Sequence, residues 1–220
     1  MKIASLKLDF DENKLKSYVI TEYLKKLNSV LFKMSTDGII KRAVGIEIRR
    51  LIENSPEYDS LISGKLNKDF GLDFPVANPT LTLNQIIETI ERNVEITFTP
   101  AIYASGTVRG SLTISVLKSD FSDVLAIPSS QYNTEKGELV PWLRWLLLSG
   151  DSVVVAEYDV VATTSSRSRA GGEIMKKSFS GYRVPPEYSG TATNNWLTRA
   201  LEDLDILMGN ILQNELSRRI

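Results

Sequence analysis

The apolar residues of this chain change their spacing along its length, and that change dictates the fold class. Leu15, Tyr18, Val19, Leu27, Val30, Leu31 and Met34 recur at the intervals of one buried helix face, behind an Asp11 suited to cap the first turn. Gly38 interrupts the pattern, and Ile40, Ala43, Val44, Ile48, Leu51 and Ile52 resume it as far as Ser55-Pro56, where the proline predicts a fresh start. Two short helical turns follow between Glu57 and Leu72, then a loop through Pro75 and Pro79. Thr82 and Gln85 have capping-box spacing ahead of the helix face Leu83, Ile86, Ile87 and Ile90. The period then becomes two. Val94, Ile96 and Phe98 predict one strand, and Leu112, Ile114 and Val116 a second, joined through a turn region from Ala104 to Gly110. Val124 to Ile127 is expected as a third strand, and the alternation of residues 3 to 10, with Asp9 out of place, as a short edge strand.

Pro141 sits where a helix begins, and Trp142 to Ser149 behind it carries one charge, Arg144, before Gly150. A segment apolar nearly all round must be covered on more than one side. Asp151 to Ala162, rich in valine, is the strongest strand signal and is expected at the centre of a sheet. A polar stretch from Thr164 to Gly181 precedes the extended Arg183-Val184-Pro185-Pro186. From a cap near Thr193, the stripe Leu197, Leu201, Leu204, Met208, Ile211 and Leu212 predicts a long amphipathic helix to the end. The expected class is α+β: an antiparallel or mixed β-core backed by helices, with N-terminal helices and a long C-terminal amphipathic helix. One domain is expected over 1–220. Its parts are a helical stretch (1–80), a β-core with the tryptophan helix (81–163), an extended basic arm (164–191) and the final helix (192–220).

Function classes are narrowed by what the chain lacks. It has no cysteine and no histidine, which removes disulfides, thiolate metal sites, a cysteine nucleophile and the commonest general base. No enzyme activity, cofactor or metal is expected. Asp9, Asp11 and Glu12 cluster, yet Lys14 and Ile20 stand where a calcium loop needs glycine and glutamate, so capping is the expected role. No membrane span or signal peptide is legible, and a protein made and kept in the cytoplasm is expected.

A net charge of −1 does not describe a protein built to coat nucleic acid, but the charge is uneven. Arg167, Arg169, Lys176, Lys177 and Arg183 face only Glu173 in their stretch, whereas Glu187, Glu202, Asp203, Asp205 and Glu215 follow. Complementary patches meeting between copies are one reading. Ser165 to Gly172 lacks the spacing of a P-loop, which leaves a solvated hairpin tip or an arm docking on a neighbouring subunit or on DNA. The tryptophan helix reads as core, or as core plus oligomer interface. Candidate interaction residues are therefore Arg167, Arg169, Lys176, Lys177, Arg183, Trp142, Trp145 and Trp196.

Several segments also carry a family likeness. They are Pro141-Trp142-Leu143-Arg144-Trp145-Leu146-Leu147-Leu148 with Gly150, the run Ser168-Arg169-Ala170-Gly171-Gly172-Glu173-Ile174-Met175, Tyr182-Arg183-Val184-Pro185-Pro186-Glu187-Tyr188-Ser189-Gly190-Thr191, and Asn194-Asn195-Trp196-Leu197-Thr198-Arg199-Ala200. Ser55-Pro56-Glu57-Tyr58, Ser63-Gly64-Lys65-Leu66 and Phe70-Gly71 add a weaker match. Together they resemble the neck and tail-completion proteins of tailed bacteriophages, which usually carry Ser or Thr at the place of Ala170. The resemblance implies a non-enzymatic virion protein forming a homo-oligomeric ring at the head–tail neck. Its implied partners are portal or connector and tail-tube or sheath proteins, with non-specific contact to packaged DNA. Another tail adaptor, such as a terminator or a baseplate or sheath connector, and a DNA-contacting accessory protein are the alternatives.

Overall fold

The computed structural model describes residues 11–72, 78–118, 120–133, 137–162 and 173–219. The expected strand over 3–10, the loop through Pro75 and most of the polar stretch after Thr164 lie outside the described residues.

Asp11 caps helix α1 (Glu12–Thr36), its carboxylate accepting from the amides of Asn13 and Lys14 at 3.1 Å. Of the stripe expected to be buried, only Met34 is fully so. Leu27, Val30 and Leu31 are half-buried, while Leu15, Tyr18 and Val19 stand exposed. In the first half of α1 the half-buried apolar positions are instead Ile20 and Leu24, and the Leu15, Tyr18 and Val19 side faces solvent. Beyond Gly38, helix α2 (Ile39–Glu53) is the centre: Ile40, Val44, Ile48 and Ile52 are wholly buried, each such side chain stabilising by about 1.5–3 kcal/mol. Ser55 caps α3 (Pro56–Ser63), and α4 (Lys65–Phe70) follows after Gly64.

Helix α5 (Pro79–Arg92) starts earlier than the capping-box spacing predicts, because Asn78 caps it by accepting from the Leu81 amide at 3.0 Å. Thr82 is buried inside the helix, and Gln85 instead accepts from the Ser129 hydroxyl at 2.7 Å. Leu83, Ile86, Ile87 and Ile90 form the buried face, as expected, and the helix packs on α2.

Strands β1 (Glu95–Ala104) and β2 (Thr107–Ser115) form an antiparallel hairpin. The turn is tighter than predicted, since Ser105 and Gly106 both take positive φ (51° and 81°) and close the ladder in two residues. The register slips between Thr99 and Ile102, around Pro100, which has no amide to offer. The Asn28 side chain of α1 bonds there to both polar groups of Ala101, accepting from its N–H at 2.6 Å and donating to its carbonyl at 3.0 Å. Only glycine fits opposite: a Cβ on Gly110 would lie 2.7 Å from the Ala101 Cα.

The third expected strand is instead a turn of helix, α6 (Ser122–Leu125), with the Asp120 carboxylate accepting from the Ser122 amide. A four-residue apolar run serves a buried helical turn as well as a strand, so its length cannot discriminate. A short 3-10 turn (Pro128–Ser130) and the ribbon β3 (Tyr132–Asn133) with β4 (Leu139–Val140) lead to α7 (Trp142–Leu148), which begins one residue after Pro141.

The valine-rich segment is not a central strand. It breaks at Ala156-Glu157, where Glu157 takes φ 63°, into β5 (Val153–Val155) and β6 (Tyr158–Ala162). β5 pairs with β8 (Tyr182–Arg183) and β6 with β7 (Glu173–Lys177), each pair an antiparallel two-stranded ribbon, and Val153, Tyr158 and Val161 are exposed. The final helix is likewise divided. Asn195 caps α8 (Trp196–Ala200) through a capping box with Thr198. The i→i+3 bonds from the Glu202 amide to Arg199 and from the Leu204 amide to Leu201 then tighten the chain before α9 (Leu204–Arg219). The class is α+β, with small antiparallel sheets around one continuous, mainly helical apolar core.

Helix α9 lies on α2, and its end is tied to the end of α1: Arg219 reaches the Asp37 carboxylate at 2.6 Å and Glu215 at 3.1 Å. The Ile39 amide and then Arg219 hold the Asp37 carboxyl below its ordinary value. A depressed folded-state pKa gives stability that is present above the unfolded pKa, near 3.8, and lost as pH falls through the folded value. Arg219→Ala is therefore expected to cost about 0.5–1 kcal/mol at neutral pH, screened as surface pairs are. Thermal melts of both proteins should converge as pH drops below 4. A deficit independent of pH would show that the arginine acts through packing alone.

Candidate interaction surface

The residues singled out from sequence divide between interior and surface. Trp142 and Trp196 are enclosed in the core, at 2% and 0% exposure, rather than presented at the surface. Trp142 donates its indole N–H to the Ser129 carbonyl at 2.9 Å and packs on Phe70 with ring centroids 6.1 Å apart. Trp196 donates to the Ser55 hydroxyl at 2.8 Å, across more than half of the chain.

One helical turn on from Trp196, Arg199 grips Glu57 with Nε at 3.1 Å and Nη2 at 2.6 Å. The Glu57 side chain is only 4% exposed. The same guanidinium donates to the carbonyls of Tyr188 and Ser189 and to the Asn194 side chain, and Asn195 donates to the Thr191 carbonyl. The extended segment after β8 is thereby strapped to α3 and α8. No local pattern pairs position 57 with 199, so the clasp is not legible in the sequence.

Trp145, in contrast, is half-buried. With Phe70, Tyr132, Tyr182, Val140 and Val155 it lines a cleft of about 430 Å³ that also carries Asp69 and Glu138. The walls are braced: the Tyr132 hydroxyl donates to the Phe70 carbonyl at 2.6 Å and the Tyr182 hydroxyl to Asp69 at 3.0 Å. Burial pushes the Tyr132 phenol above its ordinary pKa, so it remains a donor through the physiological range. An aromatic cleft with carboxylates suits an apolar group accompanied by a cation.

Lys176 and Lys177 are exposed on β7, Lys177 standing 3.9 Å from Glu157, and Arg183 is exposed on β8 with its guanidinium donating to the Asp151 carbonyl at 2.8 Å. Arg167 and Arg169 lie outside the described residues. Sequence reasoning passed over Phe179, treated as part of a polar stretch, although its ring is fully exposed. The signal was a lone aromatic between turn-forming residues, Ser178-Phe179-Ser180-Gly181. A second surface with apolar character lies where the first half of α1 diverges from the hairpin tip, a groove of about 660 Å³ including Ile20, Leu24, Ile102 and Tyr103.

Among the described residues, no helix is long and apolar enough to cross a membrane, and no group of three or more acidic side chains gathers as metal ligands would. No family model, curated protein or solved structure matches the chain.

Proposed function

We propose that this chain is a non-catalytic structural subunit of a tailed-bacteriophage particle, assembling into a ring at the head–tail neck beside portal and tail-tube or sheath proteins. The observation that carries the reading is convergence. Of the segments bearing the resemblance, those around Ser55-Glu57, Trp142, Tyr188 and Trp196-Arg199 are joined by hydrogen bonds and packing into one braced unit, while Ser168 to Gly172 lie outside the described residues. A ring repeats one joint many times, so its subunit has to hold its surface geometry without help from a ligand. The reacting groups of most familiar hydrolases and redox enzymes, histidine and cysteine, are absent from the sequence.

The reading is tested by mass measurement of the purified full-length protein, alone and with portal or tail-tube protein, together with negative-stain imaging. A discrete ring is expected, and a monomer that ignores both partners would end the proposal.

Exposed Lys176 and Lys177 favour a second reading, contact with packaged DNA. Changing both to glutamine is expected to lower the salt dependence of DNA binding by roughly one to two in log–log slope. An unaltered slope removes the lysines from any such contact.

A further inference from the structure

Phe179 keeps its ring wholly in water, at 111% relative exposure, and the turn that carries it is held rather than left loose. The Ser178 amide donates to the Glu157 carbonyl at 2.7 Å, the Ser178 and Ser180 hydroxyls are bonded to each other at 2.8 Å, and the Ser180 amide donates to Ser178 Oγ at 3.2 Å. Gly181 then takes φ 75° and passes so close to β5 that a Cβ would lie 2.6 Å from Val153 Cγ1. Phe179 is thus the tip of a pinned turn, at the end of a ribbon that carries Lys176 and Lys177. Because the ring is fully exposed, it does not occupy the aromatic cleft of its own chain.

We infer that Phe179 of one copy inserts into the cleft bounded by Phe70, Tyr132 and Trp145 of a second copy, with the lysines of its ribbon meeting Glu138 at the rim. The knob and the cleft are complementary in chemistry, an aromatic ring for an aromatic lining and cations for carboxylates. Both lie on every copy, the knob's turn packed on β5 beside the cleft, so each copy can give one knob and receive one. Repeated head-to-tail, this contact builds the ring of the reading above, and a pre-ordered aromatic anchor loses little conformational entropy on insertion. The inference rests on the ring reading above and supplies its joint.

Two variants of the full-length protein test it by sedimentation velocity or native mass spectrometry. Phe179→Ala removes the knob. Glu138→Lys with Leu139→Lys, both exposed positions, repels it from the cleft rim. Each variant is expected to melt like the unmodified protein and to weaken self-association by roughly 30-fold or more, the size of a hot-spot contact.

Mixing the two leaves one competent knob and one competent cleft per pair, so one-to-one dimers should form and nothing larger. Unmodified oligomers that survive both variants, or variants that fail to dimerise when mixed, overturn the knob while leaving a ring built another way. Open filaments abolished by Phe179→Ala uphold the knob and end the closed ring. An unmodified chain monomeric at every concentration overturns both.

Discussion

Trp196→Ala is expected to destabilise the protein by about 4 kcal/mol, a large part of the roughly 5–15 kcal/mol that holds a domain together. Trp196 is among the largest fully buried side chains, set against the core that α2, α3 and α7 share. Truncating it opens a cavity whose walls belong to several helices and cannot collapse together. It also takes the indole donor from the Ser55 hydroxyl, which is buried and already donates to the Ile52 carbonyl at 2.7 Å. Trp196→Phe keeps most of the volume but loses the donor and part of the ring, so about 1–2 kcal/mol is expected for it. Urea unfolding of the two variants separates packing from hydrogen bonding. A Trp196→Ala cost below about 1 kcal/mol would mean that the ring is not enclosed as described. Any loss of assembly in Trp196→Ala should follow the unfolding curve, unlike the loss in Phe179→Ala, which should occur in a protein that melts normally.

Where the sequence was legible, the physics was local. The start of α1 at Asp11, the break at Gly38, the fresh helix at Pro56 and the face Leu83 to Ile90 each depend on a cap, a breaker or a period contained within a few residues. The misreadings share another cause. The valine run reads as a central strand because burial and β-branching usually go together, but Glu157 at positive φ turns the chain and leaves its halves in separate ribbons. The stripe from Leu15 to Val19 carries the period of a buried face and meets no core, a matter of what lies opposite and not of spacing.

The candidate surface followed the same division. Exposed lysines were found because charge marks solvent directly. The tryptophan helix reads as core or as core plus interface because large aromatics serve cores and joints alike, and their side chains differ only in what surrounds them. Phe179 was missed because one ring among serines has no period at all.

The second large effect is expected at Arg199, whose role no local pattern announces. Arg199→Met keeps much of the aliphatic stem and removes the guanidinium, leaving the Glu57 carboxylate enclosed with no counter-charge. Removing one partner of a buried pair costs about 3–5 kcal/mol, and the lower end, about 3 kcal/mol, is expected because Arg199 itself keeps 32% of its surface in water. The same change releases the carbonyls of Tyr188 and Ser189 and the Asn194 side chain, so the strap between β8 and α8 should loosen first. Hydrogen exchange at residues 188–194 is the direct measurement, and it should accelerate in Arg199→Met before global unfolding does. The double variant Glu57→Leu with Arg199→Met discriminates between charge and strap. With both charges gone the isolated carboxylate no longer exists, and the pair should recover at least 1 kcal/mol relative to Arg199→Met alone. Simple additivity of the two costs would mean that the pair is solvated and that the strap, not the ion pair, is what α8 contributes.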